Sequence, residues 1–291
     1  MKYRVTHSTH IKYHSIVRLA QFNLRLKPVD WSGQTLTDYA LSVTPKPASI
    51  TSLDAPYVGN VSRLTIAEPL VELLITSRFE AVLVPAPQLP AAPTIAEVRA
   101  LALNVHDMSK VAPAPYLFAS PLAPMDPEIA HWAHALLPSD RDIVQAALEM
   151  AQTIKAQFAY DPTATENDTL AVEAFRARHG VCQDFAHIMI IALRSQGLPA
   201  AYVSGYLRTL PPVGKPRLVG ADATHAWISL WCGPDLGWIG FDPTNACLAG
   251  TDHIFTAMGR DYGDVTPVAG VFIGGVGQSL KVAVDVELLT S

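Results

Sequence analysis

The first 85 residues carry short apolar runs, at 17–19, 22–26, 39–43, 71–75 and 81–84. They are separated by breaks at 27–28, 31–33, 44–47 and 57–60 that hold Pro, Gly or Asn. Val, Ile, Leu, Thr and Tyr at this spacing predict short strands, so residues 1–85 read as a small all-β domain, an antiparallel β-sandwich-like unit. The pattern then dissolves, because nine of the chain's 23 prolines fall between Pro85 and Pro127. Proline removes a backbone donor and restricts the residue before it, which makes 86–127 a linker with one helical island at 95–103.

From residue 127 the apolar period changes to 3.6. Helices are predicted over 128–137 and 143–158, the second capped by Asp140, then over 170–178 and from about residue 181 to a stop at Gly197-Leu198-Pro199. Strands follow at 201–207, 226–231, 238–241 and 280–288. Helices first and strands second predict an α+β unit over 128–291, with helices packed on an antiparallel sheet. No internal repeat interrupts this order.

Composition narrows the function classes. With 291 residues, 49% of them hydrophobic and 16% charged, the chain can bury a large core and is not a disordered one. A net charge of −5 without any basic run leaves no electrostatic footprint for a nucleic-acid partner. No apolar stretch approaches the length of a membrane span and no leader-like segment opens the chain, so a cytoplasmic protein with no membrane partner is expected. Three cysteines, Cys182, Cys232 and Cys247, do not make a disulfide framework, so each is judged as a reactive thiol or a packed side chain.

Cys182 stands in the first turn of a predicted helix whose apolar positions Val181, Phe185, Ile188, Met189 and Ala192 keep the 3.6 period. Unpaired amide donors and the positive dipole end at such a terminus favour a thiolate. A small packed cysteine is the other reading of the same position. Residues 224–231 and 238–243 read as two strands of a hairpin; if Leu230 opposes Gly237, His225 opposes Asp242. Directly opposed side chains share a face, and a carboxylate there holds one imidazole nitrogen while the other points outward. A one-residue slip would part them. Taken singly, the histidine also reads as a buried structural residue and the aspartate as a turn cap.

The stretches GVCQDFAHIMIIALRSQGLPAAYVSGYL, DATHAWISLW and GWIGFDPTNA resemble the three core motifs of the transglutaminase-like superfamily, whose active site is papain-like. LRLKP, VTPKP and YVGNVSRL are similar to the β domain that precedes this core in bacterial members, and GRDYGDVTPVAGVFIGG resembles the segment that follows it. The likeness covers nearly the whole chain. It implies Cys182 as nucleophile, His225 as general base and acid, and Asp242 as the residue that orients the imidazole. It implies cleavage of peptide or isopeptide amides through a thioester, with transfer to an amine as the alternative and a peptide-binding protein with an inert cysteine as the rival. A peptide or protein amide is the expected partner, with neither cofactor nor metal. Gln183, Tyr206, Trp227, Arg260 and Tyr262 are candidates for the cleft or the oxyanion site. One departure is visible: Ala201 stands where bacterial members often carry Arg in PARYVSGY, which leaves the triad whole.

Other constellations are weaker. Cys182, His187, His225 and Asp242 hold atoms that zinc accepts, yet no CxxC or HExxH is present, and five residues turn Cys182 and His187 about 140° apart on a helix. Ser204-Gly205 lacks the frame of a serine elbow, and residues 274–277 read as a turn. Cys232 and Cys247 have no base beside them in sequence.

Overall fold

Alternating burial over an unusual length builds the first sheet. The computed structural model describes residues 1–86, 90–107, 109–163, 169–209, 223–275 and 277–289; Asp222 of the second motif and Val276 of the glycine turn lie outside them. Strand β1 (Lys2–Leu24) buries Tyr3, Val5, His7, Thr9 and Ile11 in strict alternation. Sequence reading found only the last part of this strand, because His7 and Thr9 hold inward positions and hide the period. Four strands follow: β2 (Gln34–Thr44), β3 (Ser49–Leu53), β4 (Val61–Ile66) and β5 (Leu70–Leu83). The first part of β1, residues 2–12, pairs with β5, and its last part, from Ala20 to Leu24, pairs with β4. Ile11, Leu73 and Ile75 share one buried cluster with Phe22, Leu64 and Ile66.

The helical stretch contains α1 (Ile95–Leu103), α2 (Pro127–Leu136), α3 (Ile143–Gln157), the two-residue strand β6 (Ala159–Tyr160), α4 (Ala171–Ala177), β7 (His179–Gly180) and α5 (Cys182–Ser195). Asp142 caps α3, accepting from the N–H groups of Val144 and Gln145 at 2.8 and 2.9 Å, in place of the expected Asp140. The cap sits immediately before the first helical residue, where its oxygen reaches the second and third N–H groups.

A second sheet follows, from β8 (Ala200–Leu207), β9 (Ala223–Trp231), β10 (Trp238–Asp242), β11 (Cys247–Leu248) and β12 (His253–Gly259), in the antiparallel order β11-β10-β9-β8-β12. Helix α5 lies against β8 and β9, and its buried face, including Phe185, Ile188, Met189 and Ala192, joins Ile228 and Leu230 of β9 in the main core. The chain closes with α6 (Tyr262–Val265), β13 (Val268–Gly274) and β14 (Gln278–Leu289). Residues 280–288, which sequence reading attached to the second unit, belong to β14 and pair with the first part of β1, while β13 pairs with its last part. The fold is thus mixed and sheet-rich, with the chain end returned to the first sheet. Tyr206 and Ile254 of the second sheet are buried against Tyr3, Val5, Phe79 and Val286 of the first.

Candidate active site

Cys182 is the first residue of α5 and is half-buried. Asp184 folds back over the helix start to accept the Val181 N–H at 2.8 Å. Gly180 makes room for this turn, since a Cβ there would lie 2.7 Å from the Asp184 Oδ2. An acidic residue at the third helical position satisfies a donor that the helix itself cannot. The sequence GVCQD therefore encodes a tight entry that leaves the cysteine at the positive end of a 14-residue helix.

His225 and Asp242 come from neighbouring strands. Leu230 pairs with Ile239 rather than Gly237, a slip of two residues from the expected register. An even slip preserves the face, so the two side chains still meet, as diagonal rather than direct neighbours. His225 Nε2–H donates to Asp242 Oδ2 at 2.8 Å, and the Cys182 thiol is near enough to the same imidazole to help raise its pKa. Asp242 is fully buried and accepts from four more donors. Its Oδ2 takes the Asn245 side-chain amide at 2.7 Å and His253 Nε2–H at 3.0 Å, and its Oδ1 takes the N–H groups of Thr244 and Asn245 at 2.9 and 3.0 Å.

Burial works to lower the His225 pKa, but the Asp242 and Cys182 hydrogen bonds and charges outweigh it and raise the value to about 9. Burial likewise works to raise the Asp242 pKa, and its hydrogen bonds to His225 and His253 overcome it and hold the carboxyl far below its ordinary value. A histidine whose folded pKa exceeds its unfolded 6.5 contributes stability that is complete below 6.5 and lost as pH rises through 9. The unfolding free energy of wild type minus that of His225→Gln is therefore expected to shrink by about 3 kcal/mol between pH 6 and 10. Urea denaturation across that range measures it.

Trp227 covers this cluster. Its ring lies 6.1 Å from the His225 ring and 5.3 Å from that of His253. Gly205 admits it: a Cβ there would stand 2.4 Å from the indole Cη2 and 2.2 Å from the Ile254 carbonyl, whereas a Cβ on Gly240 would meet the Ala249 Cβ at 2.6 Å. Gly205→Ala is expected to cost about 1–3 kcal/mol or more of stability through overpacking, read by thermal unfolding with tryptophan fluorescence.

The remaining candidates separate. Tyr262 lies within electrostatic reach of Cys182, as do Tyr160 and Tyr202, which sequence reading did not single out; burial raises the hydroxyl pKa of all three, and Cys182 adds to each shift. Tyr262 is set by its own N–H, which donates to the buried His187 Nε2 at 3.2 Å. Gln183 is buried on α5. Arg260 is spent on a forked ion pair with Asp264, at 2.9 and 3.2 Å, and sits over the Tyr57 ring. Tyr206 is not a cleft residue: it pairs in register with Thr224, one step off the Gly205 that faces His225, and its hydroxyl meets His7 Nδ1 at 3.1 Å between the two sheets. Ala201 is fully buried with Val203, Trp227 and Phe255, an apolar setting unsuited to an arginine. Burial pushes the Cys232 thiol well up, and that of Cys247 up as well.

His253 and Asn245 went unnoticed in the sequence. Strands β11 and β12 occupy opposite edges of the sheet; Ala249 N–H bonds to Gly240 O at 2.9 Å, the next rung of the β10–β11 ladder, and within four residues the chain crosses to β12. That crossing delivers His253 to Asp242, and no local spacing announces it. His225, Asp242 and His253 are close enough to share a metal ion, their ligand atoms lying within 4.8 Å of one another. The hydrogen bonds oppose this use. His253 Nδ1 accepts the Gly250 N–H at 3.1 Å, so Nε2 carries the proton and has no lone pair to offer.

Comparison with known proteins places this geometry in a family context. A family model described as the transglutaminase-like superfamily matches residues 130–243, and one described as the bacterial transglutaminase-like N-terminal region matches residues 3–82. An uncharacterized protein of Mycobacterium tuberculosis is 36% identical over 98% of this chain and 92% of its own length. A protein-glutamine gamma-glutamyltransferase of Pseudomonas aeruginosa is 40% identical over 30% of this chain and 13% of its own length. Among solved structures, one from Cytophaga hutchinsonii named a "putative cysteine protease" superposes with a TM-score of 0.77 at 20% identity, covering 100% of this chain and 91% of the other.

Proposed function

Because the chain belongs to the transglutaminase-like superfamily, we propose that it is a cysteine-dependent amide hydrolase using Cys182, His225 and Asp242. One observation carries this reading: His225 is held by Asp242 at 2.8 Å through Nε2, which leaves Nδ1 as the nitrogen that serves the Cys182 thiol. A sulfur at a helix start, beside an imidazole that is fixed through one nitrogen and exchanges its proton at the other, is a nucleophile activated for acyl transfer.

In the first half-reaction the Cys182 proton passes to His225 and the sulfur bonds to the amide carbonyl carbon. First-turn N–H groups of α5 receive the developing oxyanion. The carbon–nitrogen bond then breaks, and His225 returns its proton to the departing amine, leaving a thioester on Cys182. In the second half-reaction water adds to the thioester and gives its proton to His225; the acid leaves, and the proton goes back to the sulfur. Asp242 holds the imidazole through both halves. An amine in place of water would make the protein a transamidase, the chemistry in the name of the Pseudomonas aeruginosa relative that matches about a third of the chain.

The substrate in this reading is a peptide or protein amide. Mass spectrometry after incubation with a peptide mixture and an added primary amine tests it. Shortened peptides are the expected products; a gain of amine mass would make transfer the reaction, and unchanged peptides with an unreactive Cys182 would leave a binding protein.

A further inference from the structure

The carboxylate oxygen that serves His225 is shared. His253, the first residue of β12, directs Nε2–H at the same Asp242 Oδ2 from 3.0 Å, while its Nδ1 accepts the Gly250 N–H at 3.1 Å. A ring nitrogen that accepts an N–H bears no proton, so these two bonds specify one neutral tautomer that can only donate to Asp242. The ring is buried at the edge of Trp227. Its strand is gripped from the first sheet. The Gln34 amide, itself buried, donates to Phe255 O at 2.8 Å and accepts Phe255 N–H at 2.9 Å, two residues beyond His253. Trp31 stacks on the Phe255 ring at 4.4 Å and 3°. Met258 N–H, farther along β12, bonds to Val58 O at 2.8 Å.

We propose that His253 is a positioning residue for the reaction, acting through Asp242: its fixed N–H takes a share of the charge on the oxygen used by His225, and so sets how firmly the catalytic imidazole holds its proton. The proposal rests on the reading of Cys182 and His225 as the catalytic pair. His225 must both take and release a proton in each half-reaction. A carboxylate with fewer donors would favour taking over releasing, and the His253 N–H, added to the Asn245 amide on the same oxygen, moderates that bias further. Among the described residues, the other titratable groups that act on the cluster are Cys182 on α5 and Cys247, which pairs with Asp242 from β11 and has Lys155 of α3 beside it. Asp252, next to His253, is occupied by the Tyr3 hydroxyl and Arg208.

The test follows alkylation of Cys182 by iodoacetamide against pH, with peptide mass spectrometry, in wild type, His253→Leu and His253→Gln. The step belonging to His225 is the one missing in His225→Ala. His253→Leu removes the donor and is expected to move that step upward by about one pH unit. His253→Gln, whose amide N–H reaches the same oxygen, is expected to restore it. A step unmoved in His253→Leu overturns the proposal, and so does a loss of thermal stability with the step in place. A wild-type profile with no step from His225 overturns both this proposal and the catalytic reading beneath it. Should His253→Leu fail to fold, nitrogen-15 spectra of the wild-type imidazoles decide. The Nε2–H tautomer at His253 from pH 6 to 8 supports the proposal, and the Nδ1–H tautomer or a cation overturns it.

Discussion

Replacing Asp242 by asparagine is expected to lower kcat by about 10⁴-fold and to destabilise the fold by about 3–5 kcal/mol. The reason lies in the donors around this side chain. Two backbone N–H groups meet Oδ1, and two imidazoles and the Asn245 amide meet Oδ2, all between 2.7 and 3.0 Å. Only a carboxylate accepts on every side. In either orientation an asparagine turns its NH₂ toward donors and leaves at least two of them facing another donor. His225 can escape by moving its proton to Nδ1, but that nitrogen then has no lone pair with which to take the Cys182 proton. His253 has no such escape, because Gly250 N–H already occupies its Nδ1. Kinetics on the peptide substrates found by mass spectrometry, with urea denaturation alongside, would separate the catalytic loss from the structural one. Equal kcat in wild type and variant would remove Asp242 from the mechanism.

Cys182→Ala is expected to lower kcat on the order of 10⁶-fold while changing stability by less than about 1 kcal/mol. The contrast between the two variants is informative. Cys182 is half-buried at a helix start that Asp184 and Gly180 shape without it, whereas Asp242 sits at the centre of a buried network. The other two cysteines offer no substitute nucleophile. Burial pushes both thiols up, and Cys232 donates its Sγ–H to Leu230 O at 3.5 Å deep in the core. A variant that retained turnover would place the chemistry elsewhere.

Much of this site was legible in the sequence because its logic is local. The helix start around Cys182 follows from a glycine, a first-turn acid and a 3.6 period. The meeting of His225 and Asp242 follows from strand parity, which explains why a hairpin register wrong by two residues still brought them together. Parity is robust to even slips and fails only for odd ones. His253 was not legible, since it reaches Asp242 from the far edge of the sheet through a crossing link, a relation with no sequence period. Tyr206 misled because it lies one residue from Gly205, which pairs with His225; that single step carries it to the other face and into contact with His7. Burial holds the His7 pKa down to about 4, so this contact is a neutral one between the two sheets.

The same division holds for the fold. Helices with apolar stripes emerged within a few residues of their observed ends. Strand β1 was largely hidden because two of its inward positions are polar, and the return of β14 to the first sheet is a long-range pairing that the alternation of 280–288 cannot specify. Periodicity tells which face of an element is buried. It does not tell which sheet receives it.

Catalysis by this site turns on the identity of the acylated atom. Rapid acid quench of the protein with an activated ester, followed by peptide mapping, is expected to find the acyl group on the Cys182 sulfur. It should be removable by hydroxylamine, absent from Cys232 and Cys247, and formed far more slowly in His225→Ala. Acylation at another residue, or a Cys182 adduct that forms equally fast without His225, would contradict the catalytic reading.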